Sequence, residues 1–178
     1  TIMKLDEGMD TGPILAQREM AIGSDENAED LTTRLFNIGS KLLVEILPRL
    51  DRGEIQAQPQ DDSQASVTRR LSKEDGHIDW GRPASYIARQ VRAYHPWPRA
   101  FTHWQSKLLW IVEASATESW TESQVSPGHV ILLPEGVGIA TGEGTLMLSK
   151  VQLEGRRTVG AQDFVRGHRE FVGSNLDA

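Results

Sequence analysis

Five short apolar runs, at residues 100–104, 108–114, 128–133, 137–141 and 145–153, follow one another late in this chain and constrain its fold more than any other feature. Each is short for a helix, and turn sequences punctuate them: Gln105-Ser106, Pro134-Glu135-Gly136 and Gly142-Glu143-Gly144. Short strands joined by tight turns pair antiparallel with their neighbours. The set therefore predicts a small barrel or a highly curved sheet. A helix over residues 161–168 ends the pattern, with Gly160 as a passable cap and Asp163 where the helix dipole favours an anion.

The front of the chain has a different period. Residues 1–5 (Thr-Ile-Met-Lys-Leu) read as a strand, residues 6–12 as a glycine-bearing loop and residues 13–21 as a second strand, Pro13 being tolerated at its first position. After a turn at Gly23-Ser24-Asp25, apolar residues recur at Leu31, Leu35, Ile38, Leu42, Ile46 and Leu50. Steps of three and four mark an amphipathic helix of about five turns. Acidic residues at 25, 26, 29 and 30 suit its start and Gly53 its end, while Pro48 is expected to kink it or stop it early. A β-rich Thr-Ile-Met run without an initiator Met is expected to be a strand already in progress, in a chain that begins inside a domain.

Residues 56–64 (Gln-Ala-Gln-Pro-Gln-Asp-Asp-Ser-Gln) are polar and aperiodic, and read as a linker between a first domain at 1–55 and a second at 65–178. Charge changes across it. Residues 1–64 carry 6 Lys and Arg against 13 Asp and Glu, whereas residues 65–178 carry 13 against 12. In the second region, Asp75-Gly76 predicts a turn and Ile78 and Trp80 a short strand. Pro83 suits the first turn of a helix that carries Ile87 and Val91 inward and Arg82, Arg89 and Arg92 on its other faces. Tyr94-His95-Pro96-Trp97-Pro98 must end it, because each residue before a proline is pushed out of helical geometry. Trp80, Trp97 and Trp104 read as core residues.

Several function classes are excluded. The chain has no cysteine, hence no disulfide framework or thiolate metal site, and its five His include no pair at helix-face spacing, so no metal is predicted. No apolar run approaches the roughly 18 residues of a membrane span, and no signal peptide is visible. The near-neutral second region is no general nucleic-acid binder, but Arg-rich clusters at 69–99 and 156–169 allow a local phosphate-facing stripe. The Asp6-Glu7-Gly8-Met9-Asp10-Thr11-Gly12-Pro13 loop is the candidate catalytic element. By itself Asp10 reads either as turn chemistry or as a catalytic carboxylate. An aspartic-protease reading needs two such aspartates, and with one copy here would need a homodimer.

Three stretches together carry a family resemblance. They are Thr1-Ile2-Met3 through Asp10-Thr11-Gly12; residues 71–80 leading to Pro96-Trp97-Pro98; and Leu153-Glu154-Gly155-Arg156-Arg157 followed by residues 161–169. In that order they make the chain resemble, from end to end, the C-terminal part of methionyl-tRNA formyltransferase. The resemblance implies an α+β chain: the remnant of a Rossmann-like formyltransferase domain (two strands and a helix), then an OB-like β-barrel domain with flanking helices that binds tRNA. It implies formyl transfer from 10-formyltetrahydrofolate to the amino group of methionyl initiator tRNA, in translation initiation, by a cytoplasmic monomer of bacterial or organellar type. Asp10 matches the family's catalytic aspartate; Asp6, Gly8, Asp10 and Gly12 are its expected folate contacts; Arg82, Arg89, Arg92, Arg156 and Arg157 are its expected tRNA contacts. The sequence departs from the family's pattern at Gly160, where a Ser usually caps the last helix.

Attack of an amine on a formyl carbon develops an oxyanion and requires loss of the amine's proton. The resemblance assigns the oxyanion to an Asn and a His of an Asn-x-His-x-Ser-Leu-Leu-Pro motif, with the aspartate orienting the His and raising its pKa. That motif does not occur in these 178 residues. The expectation is one catalytic group of three, and no activity from this chain alone. The alternatives are a sugar-nucleotide N-formyltransferase or formyltetrahydrofolate hydrolase relative, which fit residues 94–98 and 153–169 less well, and a module that only docks RNA.

Overall fold

A computed structural model of the chain describes residues 1–117 and 125–176. They form two compact units, Thr1–Arg70 and Leu71–Ala178. Among the described residues no helix is long and apolar enough to cross a membrane.

In the first unit, β1 (Ile2–Met3) pairs antiparallel with β2 (Ile14–Ala16), placing Ile2 opposite Ala16 and Met3 opposite Ile14. Both strands are shorter than their apolar runs. The helix α1 (Ala28–Asp51) starts where the Asn27 side chain accepts the Asp30 N–H at 2.9 Å, and Glu29 and Asp30 occupy its first turn. Gly53 lies just past its end with φ 71° and donates to the Leu50 carbonyl. Pro48 does not stop this helix early, since α1 runs on to Asp51. The ring sits in the last turn, on an exposed face, where it forfeits the bond to the Val44 carbonyl with only three residues of helix left beyond it.

Only part of the apolar content of α1 is covered. Leu42 and Ile46 are buried, as the period predicts, but Leu35 is exposed. So is a second apolar face formed by Phe36, Leu43, Val44 and Leu47.

The second unit opens with a single turn of 3₁₀ helix (Glu74–Gly76) and then α2 (Ala84–Ala93). The strand expected around Ile78 and Trp80 does not form. The segment makes a lone parallel bridge from His77 to Phe101, with Ile78 N–H bonded to the Phe101 carbonyl at 2.9 Å, yet Ile78 and Trp80 both reach the core. Gly76 is required by proximity, because a Cβ there would overlap the Arg99 carbonyl oxygen. Pro83 precedes the first helical residue, and Ala84, Ile87, Ala88 and Val91 form the buried face of α2.

The sheet comprises β3 (Phe101–Trp104), β4 (Lys107–Thr117), β5 (Val130–Leu133), β6 (Gly136–Ala140), β7 (Thr145–Leu153) and β8 (Val159–Gly160). It is antiparallel throughout, in the order β3-β4-β7-β6-β5, with β8 also on β7. The β3–β4 turn uses left-handed φ at both Gln105 (50°) and Ser106 (59°), the hand that suits strand twist.

The β4–β7 ladder loses register beside Glu113. There the buried set changes parity on both strands, from Leu109 and Ile111 to Ala114 and from Leu153 and Val151 to Leu148 and Leu146. Such an irregularity bends a sheet and lets one pair of strands line a curled core. That core is closed by α3 (Ala161–Gly167) and a following 3₁₀ turn, through edge-to-face contacts of Trp104 with Phe164 and Phe171 at 5.6 and 5.3 Å. Trp80 and Trp104 are core residues as expected, but Trp97 is 51% exposed.

Candidate functional site

The aspartate loop spans the connection from β1 to β2. At its neck the Lys4 N–H bonds to the Pro13 carbonyl at 3.0 Å. Within it the Asp6 carboxylate accepts from the Gly8 N–H at 3.1 Å and from the Thr11 hydroxyl at 2.7 Å. Asp10 is exposed and adopts φ 58°, a left-handed conformation that Asp tolerates better than most residues. Gly12 is buried because the chain just after β1 passes against it: a Cβ there would overlap the Lys4 carbonyl oxygen. A Cβ on Gly8 would overlap the Thr11 hydroxyl. Gly12 is thus required by the closure of the loop on itself, and Gly8 leaves the Thr11 hydroxyl its place on Asp6.

Residues 56–64, expected as a linker, hold the loop from outside. Gln58 and Ile14 exchange backbone hydrogen bonds, both 2.8 Å. Two residues on, the Gln60 amide donates to the Asp10 carbonyl at 2.8 Å and the Gly12 carbonyl at 2.7 Å. A groove results, with Met9, Asp10 and Ile14 on one side and Pro59, Asp61 and Val67 on the other. Asp61 is held ionised there: the Ser63 hydroxyl, the Gln64 amide and the Ser63 N–H all donate to it and push its pKa below the ordinary carboxylate value. The groove therefore offers a solvent-reachable carboxylate at Asp10 on a backbone held by Gln60, more negative charge beside it and an apolar edge. No histidine lies in the first unit, since all five occur from His77 onward. Among the described residues, no group of three or more His, Asp or Glu could hold a metal ion.

The predicted arginines stand on two elements of the second unit. Arg82 precedes α2, with its guanidinium 5.3 Å from the Tyr86 ring centre and 3.4 Å from Asp79. Arg89 is exposed on the same outward stripe of α2, while Arg92 is half-buried and donates to the Ala88 carbonyl. Arg156 and Arg157 are exposed on the turn between β7 and β8. They border a groove with Lys107, Glu154 and His168. Two other arginines are committed elsewhere: Arg99 stacks on Trp110 at 4.6 Å and bonds Gln152, and Arg166 pairs with Asp163 at 2.7 Å.

Gln60 is the residue that sequence reasoning missed. Its contacts lie 48 and 50 residues away in the chain, and no local pattern encodes them.

Comparison with known proteins places these features. Residues 70–169 match the family pattern described as formyl transferase, C-terminal domain, and residues 1–47 match the one described as formyl transferase. The chain is 46% identical to methionyl-tRNA formyltransferase of Chloroflexus aggregans over 169 residues, 94% of this chain and 54% of that protein. It is 43% identical to methionyl-tRNA formyltransferase of Roseiflexus castenholzii over 176 residues, 99% of this chain and 56% of that protein. It thus spans about half the length of these relatives. Among solved structures, HypX from Aquifex aeolicus in complex with tetrahydrofolic acid superposes with a TM-score of 0.68 at 19% identity, covering 96% of this chain and 30% of that one.

Proposed function

Because the chain belongs to the formyl transferase family, we propose that its complete gene product transfers a formyl group from 10-formyltetrahydrofolate to the amino group of methionyl initiator tRNA. The carrying observation is the 46% identity to a methionyl-tRNA formyltransferase over 169 residues, 94% of this chain and hence through both units. Residues 1–55 are then the end of a catalytic formyltransferase domain. Residues 65–178 are an OB-like tRNA-binding domain, a reading supported by the curled antiparallel sheet. The uncovered apolar face of α1 fits a helix that packs into a larger α/β domain. The protein acts in the cytoplasm, as a monomer, in translation initiation.

In this reading Asp10 is the catalytic aspartate, and its task is electrostatic and orientational. A carboxylate beside an imidazole favours the charged imidazolium and fixes its ring. The imidazole and an oxyanion-stabilising amide come from residues outside these 178. Asp6 sets the loop's conformation through Gly8 and Thr11. The folate substrate meets the loop along the open groove, on backbone near Gly8 and Gly12. That HypX was solved with tetrahydrofolic acid supports a folate of this class. Arg82 just before α2, Arg89 and Arg92 on it, and Arg156 and Arg157 beyond β7 contact tRNA phosphates, where guanidinium geometry is an advantage.

Asp10→Asn in the complete gene product tests the assignment. It keeps the shape of the side chain and removes its charge, so formylation of methionyl-tRNA under single-turnover conditions is expected to be abolished with tRNA binding retained. Near-normal turnover would falsify the role.

A further inference from the structure

We propose that Gln60 is a positioning residue that aims Asp10 at the reacting groups, an inference that rests on the formyl-transfer reading of the aspartate loop. A primary amide has two N–H bonds, and Gln60 directs them at two carbonyls of that loop, Asp10 at 2.8 Å and Gly12 at 2.7 Å. The reverse orientation would set its oxygen against two carbonyl oxygens, so the partners fix which end of the amide faces the loop. The Asp6 bonds brace residues 8 and 11 from within. Gln60 adds the brace on residue 10 itself, whose left-handed φ of 58° sets where its side chain leaves the backbone.

Gln60 is in turn anchored. Its neighbour Gln58 is locked to Ile14 at the start of β2 by two backbone hydrogen bonds of 2.8 Å. The amide is therefore presented from a fixed segment, the kind of outer support that keeps a catalytic side chain within a fraction of an ångström of its working place. Asp10 is exposed. Gln60 is itself exposed, so losing the brace should affect chemistry more than folding.

Gln60→Glu, Gln60→Ala and Gln60→Lys in the complete gene product test this, with Asp10→Asn alongside. The glutamate is nearly isosteric but, when ionised, turns two acceptors against two carbonyls. Its kcat should fall about 10- to 100-fold, with KM for methionyl-tRNA changed less than about threefold. As the pH drops and the introduced carboxyl gains an O–H donor, the ratio of Gln60→Glu to Gln60→Ala turnover should rise. Asp10, Asp61 and Asp62 line the same groove in both variants, so Gln60→Ala is the reference against which the introduced carboxyl is read. Gln60→Lys, which keeps N–H donors, should recover turnover relative to Gln60→Ala.

A Gln60→Glu kcat within about twofold of the unmodified protein, well inside the loss expected of a misplaced group, overturns the proposal. So does a loss confined to KM, or identical pH profiles for the Glu and Ala variants. If Gln60→Glu does not fold, equal turnover of Gln60→Lys and Gln60→Ala overturns it instead. Normal turnover of Asp10→Asn would remove the formyl-transfer reading itself. An inactive Asp10→Asn beside unimpaired Gln60 variants removes only the role of Gln60.

Discussion

Gly12 gives the sharpest test of how the aspartate loop is built. In Gly12→Ala the added methyl would overlap the Lys4 carbonyl oxygen and lie 2.8 Å from the Lys4 carbonyl carbon, both backbone atoms that cannot rotate away. The end of β1 and the start of β2 must then part by on the order of 1 Å, a displacement that can itself cost a reaction about 100-fold. That movement stretches the Lys4 to Pro13 bond, now 3.0 Å, and draws the Gly12 carbonyl away from Gln60. Overpacking of this kind costs about 1–3 kcal/mol and the two weakened hydrogen bonds about 1 kcal/mol each, so the first unit should lose about 3–5 kcal/mol.

Formylation kinetics and thermal unfolding of the complete gene product measure the two effects. Gly39→Ala in this 178-residue chain is the stability control: it lies inside α1, a Cβ there meets nothing within 4 Å, and alanine's better helix propensity should stabilise by about 1 kcal/mol. A Gly12→Ala protein that melts and turns over like the unmodified one would refute the claim that this glycine exists for close approach.

Two further outcomes follow from charge. Arg89→Ala with Arg92→Ala should weaken tRNA binding and reduce the slope of log K against log salt by about 1 for each phosphate no longer neutralised; an unchanged slope removes these two from the interface. Glu26 has its pKa lowered, first by the Gly23 N–H and then by Arg34. A depressed folded pKa contributes stability that is complete above the ordinary value of 4.5 and is lost as pH falls through the lowered one. Glu26→Gln should therefore flatten the acid limb of the stability profile, which unfolding followed from pH 6 down to pH 2 would show (roughly the carboxylate range).

What could be read from the sequence was what neighbouring residues decide among themselves. The period of Leu42 and Ile46 located α1, and the residues around Gly53 located its end, because helix hydrogen bonds and caps join residues a few positions apart. Alternation and turns likewise located β3 to β7. Pro48 misled for the same reason: the rule concerns a helix interior, and only the true end at Asp51 shows that the ring lies in the last turn. Trp97 misled because apolar character does not say which way a residue faces. Long-range pairing left no such trace. That β7 lies between β4 and β6, and that the ladder shifts beside Glu113, depend on partners tens of residues apart.

The candidate site divides along the same line. Asp10 and its glycines were conspicuous because a tight loop needs particular residues at particular places. The surroundings of Gly8 and Gly12 call for small residues there in any case: the Lys4 carbonyl and the Thr11 hydroxyl fill the space that side chains would take. Gln60 was invisible for the opposite reason, since a glutamine in a polar run has no local signature and its use is decided by a loop 48 residues back. A catalytic loop held together only by local bonds would be fully legible in sequence. Where one is also pinned from a distant segment, the pinning residue has to be sought among ordinary polar side chains with both donors committed to the loop's backbone, and Gln60 meets that description.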